Sequence, residues 1–353
     1  MPSFYVLALP LMFVLQLLWN FIFHQQGDAY SGKLLLKLPI LLAPLLALAV
    51  WNKTSRLYLL LGTILPLTWI STASVVHYWN HRSFYNQMVL ESKPVPIYSN
   101  VYHIEFSVFL AVFTALGLLF LFQNRNRWGE WMFILLIIAV VLNIANLHIL
   151  TARTGILTFW AALTGFVVAF GFNPFKRPLF WITAIAGVIL ILAIPSSRNR
   201  MWNSWEDFNA IRKGQDLNNK SFGQRWIAWQ VAGNIIQSHW VKGVGMQNVA
   251  EAMHVEYAKN GNNLKEYNRI MPHNQYLENS LQSGVLAGLV FFTGLLGGIR
   301  DGWRKRNAGI LGFCLAFAVA CMFESLLERQ TGVMLFAFLL PVLSCWTSPT
   351  NSE

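Results

Sequence analysis

Long apolar runs separated by short charged gaps constrain this chain more than any other feature. Ten runs of about 17–24 residues are long enough to cross a hydrocarbon core of about 30 Å. They lie at roughly 4–23, 34–51, 57–76, 104–123, 131–150, 154–172, 179–195, 276–299, 308–324 and 330–347. Lipid cannot satisfy a free backbone N–H or C=O, and the runs lack the apolar–polar alternation of a barrel, so each is expected to be a helix. Composition agrees: the 353 residues are 55% hydrophobic and 12% charged, against about 25% charged in a soluble domain. The expected fold is all-α, a polytopic membrane bundle of about ten transmembrane helices.

The net charge of +11 does not point to nucleic acid, because of where it sits. Ten basic residues occupy four short alternate gaps: Lys53 and Arg56; Arg125 and Arg127; Lys176 and Arg177; Arg300, Arg304, Lys305 and Arg306. Only Glu130 and Asp301 oppose them there. This is the positive-inside pattern, and it predicts cytoplasmic N- and C-termini. The first run has no basic leader and no small-residue cleavage site after it, so it is expected to be a retained anchor. Cys314, Cys321 and Cys345 all fall in apolar runs, which suits small packing residues better than disulfides or metal ligands. The organisation is then seven transmembrane helices over 1–195, an outer loop over 196–275, and three more helices over 276–353.

The outer loop carries ten Lys/Arg against six Asp/Glu, although topology asks for no basic residues on that side. It suits either an anionic partner at the membrane surface or an ordinary soluble loop whose long cations snorkel. Within it, 221–236 has helical periodicity. Trp226, Trp229, Gly233 and Ile236 share a face, Arg225 lies at its edge, and Ser221 is a candidate N-cap. Such an amphipathic helix is expected to lie along the membrane plane. Gly243-Val-Gly245 is expected to end the segment as a turn.

Four ionisable groups at the outer side are unusual for their position. His273 follows Pro272 and directly precedes the eighth run, beside Asn274 and Tyr276. An imidazole at an interface is either a headgroup-level residue or a reactive group that exchanges protons near neutral pH. Arg153 lies in a turn of about three residues between two long runs, where it either snorkels or meets an anion. Glu324 and Glu328 are i,i+4 and are expected to share a helical face, with Arg329 available to neutralise either. Polar residues at depth are few, chiefly Asn143, Asn146 and His148 near the outer end of the fifth run. A transporter usually keeps ionisable groups near the midplane and repeats its halves. Catalysis in an outer cavity therefore fits better than transport.

Taken in order, these residues resemble a known family. Thr151-Ala-Arg153-Thr-Gly155 stands in a tight outer turn, Gly223-Gln-Arg225-Trp226 precedes a Gly-Val-Gly turn, and His273-Asn274 is followed by Gly284 and Gly288. The series, over about 130–345, is similar to the O-antigen ligase superfamily, which includes O-antigen polymerases and bacterial O-oligosaccharyltransferases. The family motif places a second Gly, Thr or Tyr where Ala287 stands, one residue before Gly288. An acidic residue some fifty positions after the histidine matches Glu324, with Glu328 one turn on.

The resemblance implies a glycan transferase at the periplasmic face of a bacterial inner membrane. Its donor is a glycan on undecaprenyl diphosphate, and its acceptor is a hydroxyl of lipid A-core or of another molecule. It implies no cofactor and no metal. His273 is the expected base, Arg225 and Arg153 the diphosphate contacts, and Glu324 the group that orients the imidazole or binds acceptor. Asn274, Tyr276, Glu328 and Arg329 are the expected substrate-binding neighbours. Ligation, polymerisation and protein O-glycosylation remain alternatives within this chemistry, and a lipid-linked glycan transporter remains one outside it.

Overall fold

A computed structural model describes residues 4–24, 28–42, 53–91, 93–99, 101–124, 130–170, 195–259 and 263–344, with isolated positions 45, 189 and 193. Fourteen α-helices run through the described residues. They are α1 (Phe4–Phe23), α2 (Asp28–Lys37), α3 (Lys53–Asn80), α4 (Arg82–Leu90), α5 (His103–Asn124), α6 (Glu130–Ile149) and α7 (Arg153–Ala169). Then follow α8 (Pro195–Arg212), α9 (Ser221–Ser238), α10 (Val249–Lys259), α11 (Gln275–Ser283), α12 (Val285–Arg304), α13 (Ala308–Phe323) and α14 (Gln330–Ser344). No strand occurs among the described residues.

Among the described residues, four stretches are long and apolar enough to cross a membrane: Tyr5–Phe23, Leu60–Asn80, His103–Gln123 and Val285–Arg304. Four apolar helices are shorter, at Phe133–Ile149, Arg153–Ala169, Ala308–Phe323 and Gln330–Ser344. The expected run at 179–195, the basic residues Arg125, Arg127, Lys176 and Arg177, and Cys345 lie outside the described residues, apart from the run's positions 189, 193 and 195. The eighth run departs from expectation. It is two helices, α11 and α12, broken at Gly284, and only the second is apolar enough to cross.

The chain divides into two compact units. The second comprises 47–202, 298–320 and 342–353. Its helices pack through small and polar residues. Gly155 of α7 leaves no room for a Cβ, which would sit 2.5 Å from Ser107 of α5, and a Cβ on Gly165 would meet Gly312 Cα at 2.5 Å. Such close backbone approach is the usual basis of helix contact in lipid. Two of the polar residues of α6 bond to α3. Asn143 donates to Thr68 Oγ1 (3.2 Å) and Asn146 to Ser71 Oγ (3.0 Å), tying α6 to α3.

The first unit comprises 1–46, 203–297 and 321–341. Its core joins α9 (Ala228, Val231, Ala232, Ile235) to α10 (Val249, Met253, Tyr257), with Leu264 and Leu281. Trp226 and Trp229 therefore do not act as one membrane-facing stripe. The buried face of α9 is the Gly223, Ala228, Val231, Ala232, Ile235 face, and Trp226 is 40% exposed. Trp229 instead donates Nε1–H to Pro272 O at 2.7 Å and packs near Phe222 and Phe323. Ser221 is not the N-cap either. Lys220 holds that position without a side-chain bond, and Asp207 Oδ2 accepts the Phe222 N–H at 2.8 Å. A carboxylate there also favours the helix dipole.

The turn expected at Gly243-Val-Gly245 is present, with φ +67 and +91 at its glycines. It seats on the α11–α12 break: Val244 N–H donates to Leu281 O (2.7 Å) and Val285 N–H to Trp240 O (2.8 Å). Gly284 has φ +80, and a Cβ there would lie 2.1 Å from Val241 O. A residue other than glycine would meet both a left-handed backbone and a wall of carbonyl.

Candidate active site

The segment reaching His273 is held from several sides. Tyr257 Oη donates to Ile270 O at 2.9 Å, and burial pushes its phenol up to about 12, so it remains a donor at neutral pH. Trp229 binds the carbonyl of Pro272. Asn274 then caps α11, its Oδ1 accepting the N–H groups of Tyr276 (3.0 Å) and Leu277 (3.2 Å). Asn274 thus satisfies two of the open donors at the start of a helix. His273, between Pro272 and the cap, has φ +46, a conformation uncommon outside glycine that histidine adopts more readily than most residues. Strain of this sort persists only where its surroundings over-determine it, and it clusters at functional sites.

The imidazole Nδ1 lies 2.6 Å from Glu324 Oε1. Glu324 is 3% exposed and His273 24%. A carboxylate only accepts, so Nδ1 is the nitrogen that carries the proton and Nε2 is left with its lone pair. Arg225 Nη2 stands 3.6 Å from Glu324 Oε2, an ion pair rather than a hydrogen bond. One buried carboxylate thus faces an imidazole on one oxygen and a guanidinium on the other. The guanidinium keeps further N–H donors for an anion. The three residues come from α9, from the loop before α11 and from the residue after α13.

Glu324 and Glu328 do not share a helical face. α13 ends at Phe323, and a 3₁₀ turn covers Leu326–Glu328, so the two carboxylates part. Glu328 forms an ion pair with Lys37 Nζ at 2.5 Å, and Lys37 also donates to Gln282 Oε1 at 3.0 Å. Arg329, the expected neutralising partner, is exposed; the cation paired with Glu328 is Lys37. Leu327 N–H donates to Gln275 Oε1 at 2.6 Å. Both ends of the five-residue stretch after α13 are therefore clamped, one by His273 and Arg225 and the other by Lys37 and Gln275.

These clamps belong to a buried polar face on α11. Gln275, Glu278, Asn279 and Gln282 are all buried. They pair within α11 (Gln275 Nε2 to Asn279 Oδ1, 3.0 Å; Gln282 Nε2 to Glu278 Oε1, 3.0 Å) and with α1 (Gln16 Nε2 to Asn279 Oδ1, 3.3 Å; Asn20 Nδ2 to Ser283 Oγ, 3.0 Å). Burial pushes the Glu278 carboxyl up to about 7, aided by the charge of Glu328 and opposed by Lys33, Gln282 and Lys37. Burial also pushes Glu328 up, but the charge and hydrogen bond of Lys37 outweigh it and hold Glu328 below its ordinary value. α11 lies outside the candidate membrane crossings.

Of the expected site residues, His273, Arg225 and Glu324 come together. Glu328 joins the Lys37 cluster, Asn274 is spent as a cap, and the ring of Tyr276 packs on Phe291 and Phe292. Arg153 belongs to the second unit, where it opens α7 directly after Thr151, at φ +56, and Ala152. Lys37, Gln275, Glu278 and Gln282 were not anticipated, though the signal was present. A lysine inside an apolar run, and four polar residues at i, i+3, i+4 and i+7 opening another, both demand buried partners. Among the described residues, no group of three His, Cys, Asp or Glu is placed to hold a metal ion.

No curated protein matches this chain. Residues 138–292 match a family model described as O-antigen ligase, a segment that takes in Arg153, Arg225 and His273 and stops before Glu324. Over those residues the chain is similar to the O-antigen ligase family.

Proposed function

We propose that the chain is an O-antigen ligase-type membrane glycosyltransferase, moving a glycan from undecaprenyl diphosphate to a hydroxyl of lipid A-core. The family supports a membrane enzyme of the ligase or polymerase type. The observation that carries the finer reading is the 2.6 Å contact of His273 with buried Glu324, whose other oxygen faces Arg225.

In this reading the acceptor O–H gives its proton to His273 Nε2 as its oxygen attacks the anomeric carbon. The new C–O bond forms on one face while the bond to the phosphate oxygen breaks on the other, which inverts the centre. Undecaprenyl diphosphate leaves with the electron pair, and Arg225 stabilises that charge by hydrogen bonds to phosphoryl oxygens. The resemblance gives Arg153 the same role. Glu324 holds the imidazole in the tautomer that presents Nε2 and stabilises the imidazolium that forms. In this reading the site faces the periplasm and both termini are cytoplasmic, which the basic gaps support.

Deletion of the gene and complementation with wild-type or His273→Ala protein tests the reading. Loss of capped lipopolysaccharide with accumulation of lipid-linked polymer is the expected result for the deletion and for the variant. Full capping in the His273→Ala strain would sink the role of His273. Shortened polymer would instead mean a polymerase, unmodified proteins a protein O-glycosylating enzyme, and lipid-linked glycan trapped on the cytoplasmic side a transporter.

A further inference from the structure

A cavity of about 500 Å³ opens in the first unit, between the chain after α8, the face of α9 that carries Trp226, and the segment after α10. Its size falls within the range of about 300–1,000 Å³ typical of small-ligand sites. Gln215, Asp216, Asn218, Trp226 and Asn263 supply its polar and aromatic wall, with Leu217, Ile227 and Leu264 among the apolar part.

The wall is braced from behind. Asn218 spends its side chain on the protein. Its Oδ1 accepts from Lys265 N (2.9 Å) and Asn268 Nδ2 (2.7 Å), while its Nδ2 donates to Asn263 O (2.9 Å) and Asp216 Oδ1 (2.7 Å). Asn218 N–H also donates to Asp216 Oδ1, at 3.0 Å. Asp216 Oδ2 has no protein partner among the described residues. The hydrogen bonds from Asn218 hold the Asp216 carboxyl below its ordinary value. It is therefore a fixed, ionised acceptor at the mouth of a cavity walled on one side by a half-open indole.

That pairing selects a class of ligand. Among the described residues no Lys or Arg lines the cavity, although the charges of Lys265 and Lys220 act on Asp216, and a carboxylate at the wall disfavours the diphosphate of a donor. A pyranose offers hydroxyls, which give charge-assisted hydrogen bonds to a carboxylate. It also offers a face of C–H bonds that meets the electron-rich face of an indole. The position fits a glycan chain. Trp226 follows Arg225 on α9, one residue being a rise of about 1.5 Å and a turn of about 100°. The segment that supplies Asn263 runs on to His273, and Gln224 Nε2 ties it to α9 through Asn268 Oδ1 at 2.8 Å.

We propose that this cavity is a subsite for a neutral pyranose ring of the transferred glycan, stacked on Trp226 and hydrogen-bonded by Asp216. The inference rests on the glycosyltransferase reading. The full chain, reconstituted with lipid A-core acceptor, is assayed with two donors: undecaprenyl diphosphate bearing the polymeric glycan, and the same lipid bearing a single sugar. The ratio of kcat/KM for long over short donor is the readout. Trp226→Ala and Asp216→Ala each lower that ratio about tenfold, and Trp226→Tyr, which keeps a ring, restores most of it. An unchanged ratio in both alanine variants overturns the subsite while leaving the transferase standing. If Trp226→Ala does not fold, the exposed Asp216→Ala decides by the same ratio. If wild type transfers neither donor, the transferase reading fails. Saturation-transfer NMR with free polymer fragments then decides the cavity: binding that Trp226→Ala abolishes supports it, and no binding to wild type overturns it.

Discussion

His273 Nδ1 and Glu324 Oε1 lie 2.6 Å apart, across 51 residues of sequence and from a histidine whose backbone sits at φ +46. The contact orients the imidazole, and Arg225 stands 3.6 Å from the second carboxylate oxygen. Removing either member of the pair should do similar damage. His273→Ala and Glu324→Gln each lower kcat by about 10²–10⁴-fold, and the double variant falls little further, because the two act as one unit. Glycan transfer by the purified variants, alongside their melting curves, tests this. Multiplicative losses in the double variant would show independent roles.

Arg225→Lys keeps the charge but loses the planar fork. It is expected to lower kcat/KM by about 10–100-fold with the fold retained, since a single ammonium cannot reproduce bidentate phosphate contacts. Transfer near the wild-type rate would show that only the charge matters.

Lys37 is fully buried and the Glu328 side chain is 15% exposed. Lys37→Met leaves the carboxylate without its cation and is expected to cost about 3–5 kcal/mol of stability. Lys37→Met with Glu328→Gln removes both charges and recovers much of that. Melting temperatures of the single and double variants in one detergent check it. A double variant as unstable as the single one would place the damage in packing rather than charge.

Gly284 and Gly233 make opposite predictions for the same substitution. Gly284→Ala meets Val241 O at 2.1 Å in a φ +80 backbone and should destabilise by more than the roughly 1–2 kcal/mol of a left-handed residue. Gly233 lies exposed in α9 with nothing within 4 Å of a Cβ, so Gly233→Ala should stabilise by about 0.5–1 kcal/mol. Thermal melts of the two variants read this directly.

Glu278 makes stability depend on pH. Its carboxyl is pushed up to about 7, by burial first and then by Glu328, so the folded chain binds the proton more tightly than the unfolded chain does. The stability this contributes is whole below the ordinary carboxylate range and is lost as pH rises through about 7. Glu278→Gln cannot ionise. The wild type should therefore lose more melting temperature than this variant between acid and mildly alkaline pH. Parallel curves for the two would show that Glu278 does not titrate in that window.

Much of the fold was legible because its signals are local. Apolar runs long enough for lipid must be helical whatever surrounds them, and α1, α3, α5, α6, α7, α13 and α14 follow them within a few residues. The α9 helix and the glycine turn after it were legible for the same reason. His273 and Glu324 stood out as ionisable groups at a boundary between an apolar run and a polar gap, and Arg225 was named by the family resemblance.

The rest depended on partners far along the chain. Whether Glu324 or Glu328 meets His273 is not written in their i,i+4 spacing. It is decided by the end of α13 at Phe323, after which Lys37, 291 residues away from Glu328, draws the second carboxylate elsewhere. The eighth run read as one span because apolarity averages over its polar start. Only tertiary packing shows that Gln275, Glu278, Asn279 and Gln282 are buried among partners and that Gly284 bends round the Trp240–Val241 carbonyls. The sequence by itself determined which segments are apolar and which ionisable groups flank them, since transfer free energy is a property of each segment. Only the tertiary structure decided how those charges pair, because pairing is a property of positions brought together by the fold.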